Sequence, residues 1–210
     1  NTSGWPLSTD STSSGKTFSP PVLMLTEPRP SRVMDPSASA RGVKVRVLTN
    51  SLAAAESSVV HSGYAKRRHA LLKAGVQLFE LKPQAVSRPR DGSSGVGSSS
   101  PGALHAKTFA VDRRRIFVGS YNFDLRSALL NTELGLVIDS TKLARQLAEF
   151  FDTAAPTAAY EVRLGPDGSR LQWVERTASG ETRFDTEPGS GWLRRAAVGI
   201  LSVLPIDWML

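Results

Sequence analysis

Two short β-rich segments separated by a helix constrain the fold of this chain more than any other feature of its sequence. Residues 43–49 (VKVRVLT) and 76–82 (VQLFELK) have the alternation and β-branched content of strands. Between them, residues 63–75 have helical spacing and end at Gly75, a residue suited to the turn that closes a helix. A strand, a helix and a strand with short links predict a right-handed parallel crossover, and therefore an α/β fold.

The sequence after this unit adds further strands and one more helix. Strands are predicted at 104–111, 115–120 and 132–139, a helix at 141–151 with Ser140 as its N-cap, and a hairpin that turns at 165–168. We therefore predict an α/β sandwich with a mixed sheet.

Two segments have compositions that do not favour a packed core. Residues 1–20 contain ten Ser or Thr, and residues 1–40 contain six of the 13 prolines, so we predict that residues 1–40 are mostly disordered. Residues 83–102 are rich in Ser, Gly and Pro and are predicted to form a flexible loop. The folded domain is then expected to span residues 41–210.

The charge of the chain is unevenly distributed along the sequence. The net charge is +7, but residues 41–115 carry 14 basic and four acidic side chains. Such a positive field favours an anionic partner, which could be a nucleic acid, a phospholipid headgroup or a phosphate ester. The chain has no cysteine, which excludes a disulfide scaffold, a thiolate metal site and a cysteine nucleophile.

A cluster of polar residues interrupts the apolar strands near the middle of the chain. His105 and Lys107 are two apart on a predicted strand and therefore share one face of it. Ser120 and Asn122 follow the flexible Gly119 and offer a hydroxyl and an amide. An imidazole, an ammonium, a hydroxyl and an amide around one pocket indicate a phosphate site with a group that can attack phosphorus or transfer a proton.

The spacing His-x-Lys-x4-Asp-x6-Gly-Ser-x-Asn resembles the HKD motif of the phospholipase D superfamily, with every specified position present. Longer segments, among them VVHSGYAKRRHALLKAGVQLFELK and NTELGLVID, resemble the C-terminal half of bacterial cardiolipin synthases over about residues 41–210. The resemblance implies a phospholipase D-like α/β/α sandwich lobe with a mixed sheet. It also implies a phosphatidyltransferase that works through a phosphohistidine intermediate and needs neither a metal nor another cofactor.

The resemblance also implies a role for each motif residue. Lys107, Ser120 and Asn122 would bind the phosphoryl oxygens, and Glu133 would orient the motif histidine. Asp112 completes the catalytic set, more as a structural partner than as a direct participant. The motif histidine is either the nucleophile or the general acid, and the position of this motif in the second half of such enzymes favours the acid.

The chain departs from the family in having one HKD motif where these synthases have two. Neither His61 nor His69 starts a second copy; His61 is expected at a pocket rim or in an exposed loop, and His69 on a helix surface. A complete site would need a missing N-terminal HKD lobe or a homodimer partner. Two alternatives stay open: a homodimeric single-motif phosphodiesterase or nuclease, and a catalytically silent lobe that binds lipid or another chain.

The resemblance implies a phosphatidylglycerol-like substrate and a cytoplasmic location, peripheral at the inner membrane. A nucleic acid partner is disfavoured because no basic groove interleaved with aromatic residues is visible. The tail at 192–210 is apolar and basic at its start, but its run at 196–204 is too short to span a bilayer. It is expected either to dock on the domain or to lie in the membrane interface with Arg194 and Arg195 at the headgroups.

Overall fold

The computed structural model describes residues 44–55, 57–83, 104–122 and 130–203. The segment at 1–40 and nearly all of the loop at 83–102 lie outside these residues, so their predicted disorder stays a prediction. The elements in chain order are β1 (Arg46–Asn50), α1 (Ser58–Ala65), α2 (Arg68–Lys73), β2 (Gln77–Leu81), β3 (Lys107–Val111), β4 (Arg115–Gly119), β5 (Gly135–Asp139), α3 (Thr141–Thr153), α4 (Ala155–Ala158), β6 (Ala159–Leu164), β7 (Leu171–Thr177), β8 (Gly180–Phe184) and α5 (Trp192–Val203).

The larger sheet is mixed, as predicted. Its five strands lie in the order β1-β2-β6-β7-β8. β1 and β2 are parallel, from Arg46 opposite Gln77 to Asn50 opposite Leu81, which confirms the predicted parallel crossover. The other neighbouring pairs are antiparallel, and the predicted hairpin is β6 with β7.

A second sheet contains the strands that carry the HKD motif. β3, β4 and β5 form an antiparallel sheet in that order, separate from the larger one. Helix α3 lies between the two sheets, because its Leu147 and Phe151 pack on Leu48 and Phe79 of the larger sheet and on Ile116 of the smaller one. The core is therefore shared, and it fixes the small sheet against the large one.

Helices cover both faces of the larger sheet, which confirms the α/β/α arrangement. Adjacent residues of β2 point to opposite faces: Phe79 packs towards α3, and Leu78 packs towards α1 and α2. On the second side, Tyr64 and Leu71 join Trp173 in a separate apolar cluster. Within the described ranges, no helix combines the length and the apolar character that crossing a bilayer would require.

The helix predicted at 63–75 consists of two shorter helices, α1 and α2. α1 begins earlier, at Ser58, because the Ser57 side chain accepts a hydrogen bond from the Val60 amide. Gly75 has φ +80°, the left-handed conformation expected of a residue that ends a helix. The helix predicted at 141–151 is α3, and Ser140 caps it by accepting from the Leu143 amide.

The C-terminal helix α5 packs on α1 through one face, which includes the buried Val198. The prediction that Arg194 and Arg195 point to lipid headgroups is wrong. Arg194 is half-buried and donates to Ser58 Oγ (3.2 Å) and to the Ala55 carbonyl (2.6 Å). The half-buried Arg195 donates to the Ser190 carbonyl.

Candidate active site

The predicted phosphate residues meet at one end of the small sheet. They border a cavity of about 560 Å³ lined by His105, Lys107, Val118, Gly119, Ser120, Asn122, Leu134, Gly135 and Leu136. His105, Lys107, Ser120 and Asn122 are thus brought together, although His105 and Ser120 are 15 positions apart in the sequence. The hairpin accounts for this, because it folds β4 back beside β3.

The strand register explains the position of each group. Lys107 lies opposite Gly119, which in turn lies opposite Gly135. A Cβ atom on Gly119 would approach the Leu134 carbonyl oxygen to 2.5 Å, so a side chain at this position would push β4 and β5 apart. The Lys107 ammonium donates to the His105 carbonyl at 2.9 Å, and Lys107 is one of the residues that line the cavity.

Ser120 connects the cavity to Glu133. Its hydroxyl donates to Glu133 Oε2 and accepts from the Leu134 amide at 3.0 Å. Asn131 Nδ2 donates to the other carboxylate oxygen of Glu133 at 3.4 Å. The structure therefore places Glu133 beside the predicted phosphate residues, while its predicted role in orienting His105 stays a prediction.

Asp112 lies away from this cavity. It is in the turn between β3 and β4, at the opposite end of β3 from His105, and the five-residue strand between them is about 17 Å long. Asp112 and Arg113 both have left-handed backbones, with φ of 52° and 53°. They border a different cavity, of about 500 Å³, together with Arg114 and Arg145. The geometry suits the structural role that the resemblance implies for Asp112.

Asn50 fixes the segment that leads to His105, and sequence reasoning missed it. Its side-chain amide donates to the Leu104 carbonyl at 3.0 Å and accepts from the Leu104 amide at 2.9 Å. This pair of bonds joins the end of β1 in the large sheet to the residue just before His105. The only signal in the sequence was a polar residue at the end of a strand, which is too common to interpret.

His61 occupies neither of its predicted environments. It is 4% exposed and lies within α1, with Nε2 3.0 Å from Glu187 Oε1 and 2.7 Å from Arg68 Nη2. The prediction of a pocket rim or an exposed loop is wrong, because α1 begins before His61 and turns this side chain inward. His69 is a half-buried residue of α2 whose Nε2 lies 3.0 Å from the Gly168 carbonyl oxygen.

Arg68 is the centre of a buried charge cluster. Its Nε lies 2.8 Å from Glu80 Oε1, an ion pair without the alignment of a hydrogen bond, and its Nη2 pairs with Glu187. Tyr64 and Trp173 donate to the two oxygens of Glu80 at 3.0 and 2.9 Å. All five side chains are buried, so sequence reasoning, which treated the acidic and basic residues as surface charge, missed the whole cluster.

The cluster alters the acid–base properties of its members. Burial lowers the pKa of Arg68, but the carboxylates of Glu80 and Glu187 outweigh it and raise this pKa above its ordinary value. Burial raises the pKa of Glu187, but the hydrogen bond from His61 and the charge of Arg68 bring it below its ordinary value. Burial raises the pKa of the Tyr64 hydroxyl, and the negative charge of Glu80 raises this pKa further. Arg68 therefore stays charged, and so does Glu187 at neutral pH.

Comparison with known proteins identifies the family. The family described as "Cardiolipin synthase, PLD-like domain" matches residues 27–154. Cardiolipin synthase C of Escherichia coli K12 is 44% identical over 170 residues, which are 81% of this chain and 36% of that protein. An uncharacterized protein of Helicobacter pylori 26695 is 30% identical over 107 residues, 51% of this chain and 20% of its own.

A solved structure of a phospholipase D family member, Nuc from Salmonella typhimurium, aligns with 68% of this chain and 78% of its own, with a TM-score of 0.42 and 18% identity. This chain spans about a third of the length of cardiolipin synthase C, at 36%. The family match covers the HKD motif and both sides of its cavity, since it runs from before β1 to the end of α3. The chain therefore belongs to the family of phospholipase D-like domains found in cardiolipin synthases.

Proposed function

We propose that this domain supplies one half of the active site of a phosphatidyltransferase of cardiolipin synthase type, which acts on phospholipid phosphodiesters. The observation that carries the proposal is the convergence of His105, Lys107, Ser120 and Asn122 on a single cavity. Lys107 would neutralise the phosphodiester charge, and the two neutral side chains would donate to its oxygens.

Apolar residues that line the same cavity support a lipid as the substrate. Val118, Leu134 and Leu136 line it, and Leu134 is 78% exposed. A cationic and polar wall beside an apolar one fits an amphiphile, with the phosphate on one side and the glyceryl and acyl carbons on the other. Among the described residues that line this cavity there is no aromatic ring, whereas single-stranded nucleic acid binding relies on rings that stack on bases.

The proposed chemistry has two displacements at phosphorus. In the first, a histidine from a second motif attacks the phosphorus and forms a P–N bond, while protonated His105 gives its proton to the leaving alcohol as the P–O bond breaks. In the second, neutral His105 takes the proton from an incoming hydroxyl, whose oxygen displaces the histidine. A glycerol hydroxyl of a second lipid gives transfer, and water gives hydrolysis.

A single histidine cannot attack and protonate from opposite sides of phosphorus, so the second motif must come from another lobe or another copy. The exposed side of the small sheet offers a surface for it. Phe109 and Phe117 stack there at 4.7 Å, and Val111 and Val137 are exposed. This apolar surface is next to Lys107 on the same face of β3. We place the intact enzyme peripherally at the cytoplasmic side of the inner membrane, where such lipids are accessible.

The test uses a protein that carries this domain together with a second HKD motif. His105→Asn should abolish conversion of phosphatidylglycerol to cardiolipin with little effect on folding, because asparagine is tolerated near a strand end. His69→Asn is the matched control and should retain turnover. The 210-residue chain by itself should be inactive as a monomer.

The other possible outcomes would refute the assignment of His105 or favour a different function. Normal lipid turnover by His105→Asn would refute the assignment of this residue. Cleavage of DNA but not of lipid by a dimer of the chain would favour the single-motif phosphodiesterases. If the two-motif protein turned over neither substrate, the result would favour a catalytically silent lobe that binds lipid or another chain.

A further inference from the structure

Helix α5 has an outward face without a single polar side chain. The exposed large residues on it are Trp192, Leu193, Ile200 and Val203, with exposed fractions of 69%, 66%, 65% and 81%. The other exposed positions of the helix are alanine or glycine. Positions 193, 196, 197, 200 and 203 recur at helical spacing, so together they form one continuous apolar stripe along the helix.

The charged residues of α5 do not interrupt this stripe. Arg194 is bound to Ser58 and Ala55, and Arg195 to Ser190, on the side that packs against the domain. Val198 is buried on the same inner side. The orientation of the helix is therefore set by its inner contacts, and the apolar stripe faces outward for that reason.

The size of the stripe argues against a folded protein partner. A helix of 12 residues is about 18 Å long, so its outer face offers on the order of 200 Å². A stable protein interface needs about 800 Å² from each partner. An interfacial helix has no such requirement, since it sinks one apolar face into the boundary between headgroups and acyl chains.

The charge of the chain supports an anionic lipid surface. The net charge is +7, and residues 41–115, which include the helix α1 on which α5 packs, carry 14 basic and four acidic side chains. Basic side chains beside a membrane-bound element attract anionic headgroups over about a Debye length. Trp192 is at the first position of the helix, and tryptophan favours the interface between headgroups and hydrocarbon.

We propose that α5 docks this domain on an anionic bilayer, with its axis in the plane of the interface and the stripe of Trp192, Leu193, Ile200 and Val203 facing the acyl chains. This docking does not rest on the chemistry of the His105 cavity, because it needs no turnover. It would hold the domain at the surface in which its proposed substrate lies.

The experiment measures sedimentation of the chain with vesicles of phosphatidylglycerol and phosphatidylethanolamine. Leu193→Ser/Ile200→Ser should weaken the apparent affinity roughly tenfold or more, because two large apolar side chains no longer enter the interface. Both positions are exposed, so the fold should be retained, and circular dichroism checks this. Leu130→Ser removes a large apolar side chain that is 75% exposed and lies outside α5, and it is the control, with an unchanged affinity expected.

Three results would overturn the proposal. One is equal binding of Leu193→Ser/Ile200→Ser and the wild-type chain. Another is an equal loss in the control variant, which would indicate unspecific adhesion. The third is a wild-type dimer that Leu193→Ser/Ile200→Ser converts to a monomer in light scattering without vesicles, which would make the stripe a contact between copies. Inactivity towards lipid would affect the proposed phosphatidyltransferase and leave this docking intact.

Discussion

Among the lysines and arginines that the structure describes, Arg68 is the one whose replacement by methionine should destabilise the domain most. Arg68 is 4% exposed and pairs with two carboxylates, those of Glu80 and Glu187. Methionine has a similar length and no charge, so the change removes the guanidinium while leaving most of the volume filled. Glu80, which is fully buried, would then have no cation.

The magnitude follows from the cost of leaving a buried charge uncompensated. Removing one partner of a buried ion pair costs about 3–5 kcal/mol of unfolding free energy. The hydrogen bonds from Tyr64 and Trp173 still reach Glu80, which keeps the loss within that range. Small domains are stable by only about 5–15 kcal/mol, so the variant would lose about a fifth or more of its stability.

Urea denaturation followed by far-UV circular dichroism measures this loss. With a slope of about 2 kcal/mol per molar urea, the midpoint should fall by roughly 1.5–2.5 M. Arg145→Met, on the exposed face of α3, is the matched control and should stay within about 0.5 kcal/mol of the wild type. The double variant Arg68→Met/Glu80→Gln should recover part of the loss, because its glutamine is neutral and keeps an acceptor.

Two outcomes would refute this reasoning. A loss below about 1 kcal/mol in Arg68→Met would show that the pairing barely offsets its own desolvation. A double variant whose loss equals the sum of the two single losses would show that Arg68 and Glu80 do not interact energetically.

Two further predictions concern other residues. Asn50→Ala should lower turnover in the two-motif enzyme several-fold while leaving lipid binding unchanged, because the Leu104 backbone that positions His105 loses both of its hydrogen bonds to Asn50. Asn50→Asp keeps the acceptor for the Leu104 amide and should therefore lose less turnover. Equal losses in the two variants would contradict the positioning role. Glu187 has a folded-state pKa below its ordinary value of 4.5, so its stabilising contribution is present above pH 4.5 and is lost as the pH falls through the folded value. The urea midpoints of wild type and Glu187→Gln should therefore differ most near pH 6 and converge as the pH falls through the folded-state pKa, and a constant difference would contradict this linkage.

The order of the elements was predictable because it depends on periodicity along the chain. The alternation in β1 and β2 and the helical spacing between them were sufficient for the parallel pair. Ser140 and Gly75 were identified as ends of helices because their conformational preferences are local. The residues of the HKD motif were visible for a similar reason, since a hairpin brings their two halves together over a short stretch of chain.

The division into two sheets was decided by tertiary packing, because strand pairing between distant segments leaves no periodic trace in either segment. The same is true of the buried cluster. Arg68 and Glu187 are far apart in the sequence and have the appearance of surface charges. The residues next to His61 in the sequence give no sign of a buried partner. The three side chains become partners only when α1, α2 and the segment before α5 pack together. The sequence by itself thus indicated most of the secondary structure, although not β8 or the division between α1 and α2, and it identified the residues of the motif, since both depend on near neighbours. Tertiary structure decided which charges are buried, what anchors the segment before His105, and which face of α5 is left to the solvent, because these depend on contacts between residues 50 to 140 positions apart.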